Sequence, residues 1–309
     1  MLNVEVTPKN GGTPLPGLTE QDFTVLDNNA PQPVTSFHAY RGGDAPVEVT
    51  VVVDAVNAFY QTVSYERAQI EKFLKANGGK LDYPTQLAIF TDTGTQIQQG
   101  FSKDGNALSG DLDKYVVGLR SIQRSAGIYG AGEQLQLSVR MLSQLVGHEA
   151  TLPGRKLILW VSPGWPILTG PHIYLGTGQQ KQIFSTIMGL STELREANVT
   201  LYAIDPLGTT DIGIRTYYYQ TFLKGIRKPT QTDFADLSLQ VVATQSGGLV
   251  LNSNNDITAQ LEKAMRDASA YYMLSFDPGK GEPDEYHDIV VKVAKPGYVA
   301  RTRMGYYSR

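Results

Sequence analysis

The sequence predicts an α/β protein: a doubly wound, mostly parallel sheet of six strands, with a small β-sandwich or sheet made by strands from its two ends. Three observations carry this. The runs VEVTVVVDAVNA from Val47 and RKLILWVS from Arg155 are nearly continuous in β-branched and apolar residues, the composition of strands buried on both faces of a parallel sheet. Stretches of helical periodicity alternate with such runs through the middle of the chain, which favours right-handed strand–helix–strand crossovers. Both ends lack helical periodicity and show period-two alternation broken by Pro and Gly.

Residues 1–40 alternate at Val4 and Val6, Phe23 and Val25, and Val34 and Phe37, separated by turn clusters such as Asn10-Gly11-Gly12 and Asp27-Asn28-Asn29. After the strand at Val47, residues 64–77 set Ile70, Phe73, Leu74 and Asn77 at helical spacing. A hairpin follows, QLAIFTD and TQIQQGF around Thr93-Gly94, and then helices near 104–117 and 133–146, the second with Leu135, Val139, Leu142 and Val146 on one face. The strand at 155–162 leads through a helix at about 180–197 to NVTLYAID at 198–205. A helix near 233–245 stops at Gly247-Gly248, where glycine eases the left-handed cap. A short strand, Leu249 to Leu251, and a helix carrying Ile257, Leu261, Ala264, Met265 and Ala268 complete the alternation before SAYYMLSFDP, EYHDIVVKVAKP and GYVARTRMGYY return to β. The expected division is a β-rich unit from 1–44 plus 268–309 around an α/β domain at 45–267.

Composition narrows the function. Hydrophobic residues at 41% and charged residues at 18% describe a folded globular chain. A net charge of −3 with scattered Lys and Arg offers no basic field for nucleic acid. No apolar run nears the roughly 20 residues of a membrane span, and residues 1–20 lack the regions of a signal peptide, as a mature fragment would. Zero cysteines exclude disulfides, thiolate metal sites and cysteine nucleophiles.

Several segments, in order, carry a family resemblance: PLPGLTEQDFTVLDNNAPQPVTSFHAY, VTVVVDAVNA, RKLILWVSPGW, NVTLYAIDPLG, Leu237 through Gly248 with NSNND, AYYMLSFDPG, and IVVKVAKPGYVARTRMGYY. The chain resembles the von Willebrand factor A-related domain proteins abundant in Acidobacteria, over nearly its whole length. The resemblance implies a Rossmann-like A domain, secreted or periplasmic, that binds protein or other extracellular ligands by adhesion and has no enzymatic role. A domains often bind through a divalent ion at the carboxyl ends of the central strands.

That ion site asks for Asp-x-Ser-x-Ser, a Thr from a second loop and an Asp after the fourth strand, because a hard cation such as magnesium collects about six oxygens. Asp54 stands at the first position, but Val56 and Ala58 occupy the serine positions and Pro163 the second aspartate. In the second loop, SAGIYGAGEQ, only Ser125 could replace the threonine. The expectation is a degenerate site with no cofactor, or at most a weakly held Mg or Ca ion on Asp54, Asn57 and Ser162. The alternative for Asp54 is a carboxylate capping the turn or helix after its strand.

Ligands of parallel sheets sit at the carboxyl ends of the strands. Loops at 54–60, 123–132, 163–178 and 206–232 leave that edge, and the last two are long enough to suggest function. Asn57, Trp165, Tyr174, Tyr217, Tyr218, Tyr219 and Arg227 are the candidate contacts for a protein or polysaccharide ligand, since aromatics and Arg are enriched in binding hot spots. The competing reading packs these rings onto the fold. Catalysis lacks its parts: there is no Gly-x-Ser-x-Gly, no phosphate loop and no His-Glu-x-x-His, and His38, His148, His172 and His287 read as surface or loop residues. Asp54 with Asp205 is a weak carboxylate pair, and assembly by edge-strand pairing of the terminal β-unit remains a third reading.

Overall fold

In the computed structural model, which describes residues 1–42, 46–116, 127–168, 174–208, 215–279 and 282–308, the central sheet is mixed and mostly parallel. It begins with β5 (Val47–Asp54), preceded by four strands of the amino-terminal segment: β1 (Leu2–Pro8), β2 (Phe23–Asp27), β3 (Ala30–Gln32) and β4 (Val34–Arg41). Then come α1 (Tyr60–Lys75), β6 (Lys80–Thr91), β7 (Gly94–Ile97), β8 (Ser102–Asp104), α2 (Gly105–Val116), α3 (Gly127–Glu149) and β9 (Arg155–Val161). The rest is α4 (Thr177–Glu196), β10 (Val199–Ile204), α5 (Arg215–Tyr218), α6 (Leu239–Gln245), β11 (Val250–Leu251), α7 (Ile257–Arg266), β12 (Ala270–Phe276), β13 (Tyr286–Val293), β14 (Tyr298–Arg301) and β15 (Gly305–Tyr307).

The central sheet runs β11-β10-β9-β5-β6-β7, with β8 also pairing β6, so it has seven strands where the sequence predicts six. The added strand is β8. Gly100, at φ 81°, turns the chain after Ile97, and Ser102 then returns to pair antiparallel with Thr85 of β6. Strands β5, β6, β9, β10 and β11 are parallel. Both faces of β5 are buried, as its composition requires: Val49, Val51 and Val53 join a core with residues of α1, α2 and α7, while Val52 joins one with residues of α3, α4 and α6. The predicted helix at 233–245 is broken. A single 3-10 turn covers Phe234–Leu237, and Ser238 is extended at φ −68° and ψ 148° before α6 begins.

The terminal strands form two four-stranded antiparallel sheets, β14-β1-β12-β4 and β15-β13-β2-β3. Val4, Val6, Phe23, Val25, Tyr272, Leu274, Ile289 and Val291 meet between them as a third core. The turn from β2 to β3 is Asn28-Asn29, both at positive φ (48° and 67°), which asparagine tolerates and a two-residue hairpin of matching twist needs. His287 departs from the sequence reading: it is buried in β13, with Nδ1 2.7 Å from Asp27 Oδ1, while Tyr306 donates to Asp27 Oδ2 at 2.7 Å. Among the described residues no helix is long and apolar enough to cross a membrane.

A buried ionic cluster joins these sheets to the central one. Arg155, at the start of β9, pairs with Glu5 of β1, and its guanidinium lies 4.5 Å over the Tyr271 ring. Burial works against the charge of Arg155, but the Glu5 carboxylate together with Tyr202, Tyr271 and Asp267 outweighs it and holds the guanidinium above its ordinary value. Arg301 of β14 reaches Glu5 at 3.7 Å and pairs with Asp267, which accepts a 2.8 Å bond from Tyr202 of β10. Removing one partner of a fully buried pair strands the other. Arg155→Met is therefore expected to cost about 3–5 kcal/mol in urea unfolding, whereas Arg67→Met, which loses only an exposed pair with Asp113, costs less than about 1 kcal/mol. Equal losses would contradict this assignment.

Candidate functional site

Strand β6 lies on one side of β5 and β9 on the other, so successive crossovers diverge between β5 and β9 and their carboxyl ends leave a crevice. Three neighbouring strands end there on polar residues, and each turns the chain in the same way. Asp54 Oδ1 accepts the N–H of Val56 at 2.9 Å, Ser162 Oγ that of Gly164 at 3.1 Å, and Asp205 Oδ1 that of Leu207 at 2.9 Å. Asp and Ser at strand ends commonly make such turns with a side-chain oxygen. Gly164 stands at φ 104°, where a Cβ would come within 2.2 Å of Gln240 Nε2.

Asp54 is fully buried and goes further. Its Oδ1 also accepts the N–H of Asn57 at 2.9 Å, and its Oδ2 accepts Asn57 Nδ2 at 2.8 Å and Trp160 Nε1 at 2.9 Å. Register explains the last bond: Trp160 pairs with Val52 across the ladder, so its ring lies on the face that Asp54 shares. Asn57 Nδ2 also donates to Ser138 Oγ at 2.8 Å, and Ser138 in turn donates to Gln134 O at 2.8 Å, which fastens the loop to α3. A carboxylate offers about four lone-pair directions, and four N–H donors take them.

The fit to a cation is accordingly poor. Val56 and Ala58 are buried apolar residues that offer no side-chain oxygen, Asn57 turns its amide N–H toward Asp54, and Ser162 holds its own turn. Ser125 lies outside the described residues. Among the described residues no group of three or more His, Cys, Asp or Glu side chains has an arrangement suited to a metal ion.

Beside this hub lies a cavity of about 360 Å³, within the size range of small-molecule pockets. Asn57, Phe59, Trp165, Asp205, Gln240 and Asn252 are among its lining, which contains no Lys, Arg or His among the described residues. Three of these residues carry a buried polar atom without a partner among the described residues: Asn57 Oδ1, Trp165 Nε1 and Gln240 Oε1. Trp165 itself is buried, edge-on to Trp160 at 5.3 Å.

The candidate aromatic residues separate into groups. Tyr174 and Tyr217 are exposed, at 83% and 64%. Tyr218 is half-buried and packs edge-on to Phe222 at 5.5 Å, and burial raises the half-buried Tyr219 hydroxyl above its ordinary value. Arg227 is drawn away from the edge, with Nη2 2.5 Å from Asp288 Oδ2 and 3.4 Å from Asn28 Oδ1, so it ties its loop to the terminal sheets. The sequence reading missed Phe59 and Tyr60, exposed at the start of α1 (83% and 61%), although they directly follow Asn57-Ala58. Parts of the 123–132, 163–178 and 206–232 loops, and His172, lie outside the described residues.

It also missed Glu66. This α1 residue is fully buried with neither carboxyl oxygen partnered among the described residues, and burial, then the charges of Asp54 and Asp205, push it well above the ordinary carboxylate value. Its spacing from Val63, Ile70 and Phe73 puts it on the apolar stripe, which was the available signal.

No protein-family model matches the chain, and no curated protein matches it. Among solved structures it is similar to the human COPII-coat protein Sec24c (8% identity over 88% of this chain and 46% of that one, TM-score 0.41). It is also similar to a D319A mutant of the PilB minor pilin from Streptococcus sanguinis (11%, 72% and 62%, 0.38) and to manganese-loaded Plasmodium vivax TRAP protein (9%, 86% and 96%, 0.38). The chain thus spans less than half of Sec24c and under two thirds of the pilin. Likeness this loose carries no argument about function, and the narrower Acidobacterial resemblance rests on the sequence segments alone.

Two substitutions test the hub. Asp54→Ala leaves four donors unpaired and is expected to cost at least about 2 kcal/mol in urea unfolding; a neutral substitution would contradict the structural role. Glu66 has a folded-state value above its unfolded one, so its contribution is full below the ordinary value of 4.5 and is lost as pH rises through the folded value. Glu66→Gln should therefore be more stable than the wild type at pH 8 and lose that advantage below about pH 4.5. Greater wild-type stability at pH 8 would reverse the assignment.

Proposed function

We propose that this chain is a non-catalytic, exported binding module of the von Willebrand factor A type, which holds a protein or polysaccharide ligand at the carboxyl edge of its sheet without a metal ion. The observation behind this reading is the saturation of Asp54. A carboxylate that accepts four internal N–H bonds has no lone pair left to coordinate an ion, attack a substrate or take its proton. The edge still has the features of a binding surface: a cavity lined in part by exposed Phe59, with polar atoms unpartnered among the described residues, and exposed Tyr60, Tyr174 and Tyr217 on the segments that follow β5, β9 and β10. Large exposed rings on a rigid scaffold supply contact area at low entropic cost.

Assembly by strand addition is the second reading, and β4 favours it. It is an eight-residue strand at the end of its sheet, whereas β3 is three residues long and contains Pro31. Deleting residues 1–44 cannot separate the two readings, because it removes β1 from the interior of a sheet.

The test is a surface-binding screen over immobilised neutral polysaccharides and extracellular matrix proteins, run beside chromogenic ester, glycoside and phosphate substrates. The expected result is binding to at least one surface, weakened ten-fold or more by combined Phe59→Ala and Tyr217→Ala at unchanged melting temperature, with no turnover. Turnover that Asp54→Asn abolishes would overturn the reading, as would binding indifferent to both ring substitutions.

A further inference from the structure

The cavity beside Asp54 offers a ligand neutral hydrogen-bonding groups of both kinds. Asn57 Oδ1 and Gln240 Oε1 can only accept, Trp165 Nε1 can only donate, and all three are buried and unpartnered among the described residues. Each such group is a standing cost in the free chain, which a ligand with matching groups removes. Phe59 lines the same cavity and is 83% exposed, so its ring adds an open apolar face.

Short contacts hold the three polar side chains to one place. Asn57 Nδ2 is fixed between Asp54 Oδ2 and Ser138 Oγ, 2.8 Å from each, which leaves Oδ1 as the free branch of the amide. The same Asp54 oxygen accepts Trp160 Nε1 at 2.9 Å, and the Trp165 ring stands edge-on to Trp160 at 5.3 Å. Gln240 lies against Gly164, the residue before Trp165: a Cβ there would come within 2.2 Å of its Nε2 and 3.1 Å of its Oε1.

Charge narrows the ligand further. The lining contains no Lys, Arg or His among the described residues, and the charges of Asp54 and Asp205 both reach Glu66, so the edge is negative and disfavours an anion. A cation finds little to pair with: four N–H donors saturate Asp54, Asp205 Oδ1 accepts the N–H of Leu207, and Trp165 presents the positive end of its N–H dipole. What remains is a neutral ligand that both donates and accepts.

We propose that this cavity seats one neutral sugar residue of a polysaccharide, an inference that rests on the binding-edge reading above and narrows its ligand. A hydroxyl donates and accepts at once, so a ring bearing several of them can donate to Asn57 and Gln240 and accept from Trp165. Its C–H face packs on Phe59. A cavity of about 360 Å³ has room for such a ring.

Trp160 and Trp165 are the two tryptophans of the chain, so tryptophan emission reports on this site. The experiment titrates the whole chain at neutral pH with glucose, galactose, mannose and N-acetylglucosamine, beside glucuronate and N-acetyl-lysine methylamide. At least one neutral sugar should give a saturable change in emission at millimolar concentrations, with glucuronate and the lysine probe at least ten-fold weaker. Gln240→Met, which keeps the side-chain length and loses the amide, should weaken the sugar ten-fold or more. No response to any of the four sugars would overturn the proposal, as would equal binding of glucuronate, binding of the lysine probe alone, or undiminished binding by Gln240→Met. Should that variant fail to fold, the ratio of neutral sugar to glucuronate still decides. No response to sugars, combined with ring-dependent binding to a matrix protein in the surface screen, would overturn the sugar assignment alone. Ring-independent binding or turnover in that screen would instead overturn the broader reading.

Discussion

Glu5 and Arg155 are fully buried in contact with one another, 150 residues apart, and the arrangement of the sheets depends on that contact. Neither charge could be buried alone, since desolvation would cost more than any single hydrogen bond returns. Together with Arg301 and Asp267 they bring two acids and two bases into one cluster, drawn from β1, β9, β14 and the end of α7. Tyr202 and Tyr271 close the cluster with a hydrogen bond and a ring face. The terminal strands are therefore fixed to the amino-terminal part of the parallel sheet, and the opposite edge is left to the loops.

At that opposite edge the same economy of polar groups gives a different outcome. Strands β5, β9 and β10 end in Asp54, Ser162 and Asp205, residue types that invite a reading as ion ligands. Each instead accepts the N–H two residues on, and Asp54 accepts three more donors besides. With Val56 and Ala58 where hydroxyls would be needed, the loop is stabilised by its own backbone and by Trp160 and Ser138. The lone pairs of Asp54 are taken by protein donors, and in the proposed reading recognition falls to the exposed rings and the cavity.

Much of the architecture is legible in the sequence because its signals are local. The β-branched runs at 47–54 and 155–161 had to be strands buried on both faces, and Asp54 at the end of the first had to reach the carboxyl edge. The period-two alternation near both ends had to be β. What escaped depends on distant partners or on short elements: β8 is only three residues long, and the interior position of β1 depends on its pairing with β12 and β14. The partners of Arg227 and His287 lie 61 and 260 residues away. Glu66 lies on the apolar stripe of α1, and Phe59 and Tyr60 directly follow Asn57-Ala58, but the burial of the first and the exposure of the other two are set by how α1 packs on the sheet.

The central claim is that Asp54 is a structural acceptor and not an ion ligand, and a metal titration of the native chain tests it most directly. An ion that binds only the folded state must raise the melting temperature as its concentration increases. Melts with chelator, then with millimolar magnesium, manganese and calcium in turn, are expected to superimpose. A rise of several degrees with any of the three, lost in Asp54→Asn, would mean that the ion displaces the N–H donors now bound to Asp54, and would contradict the account.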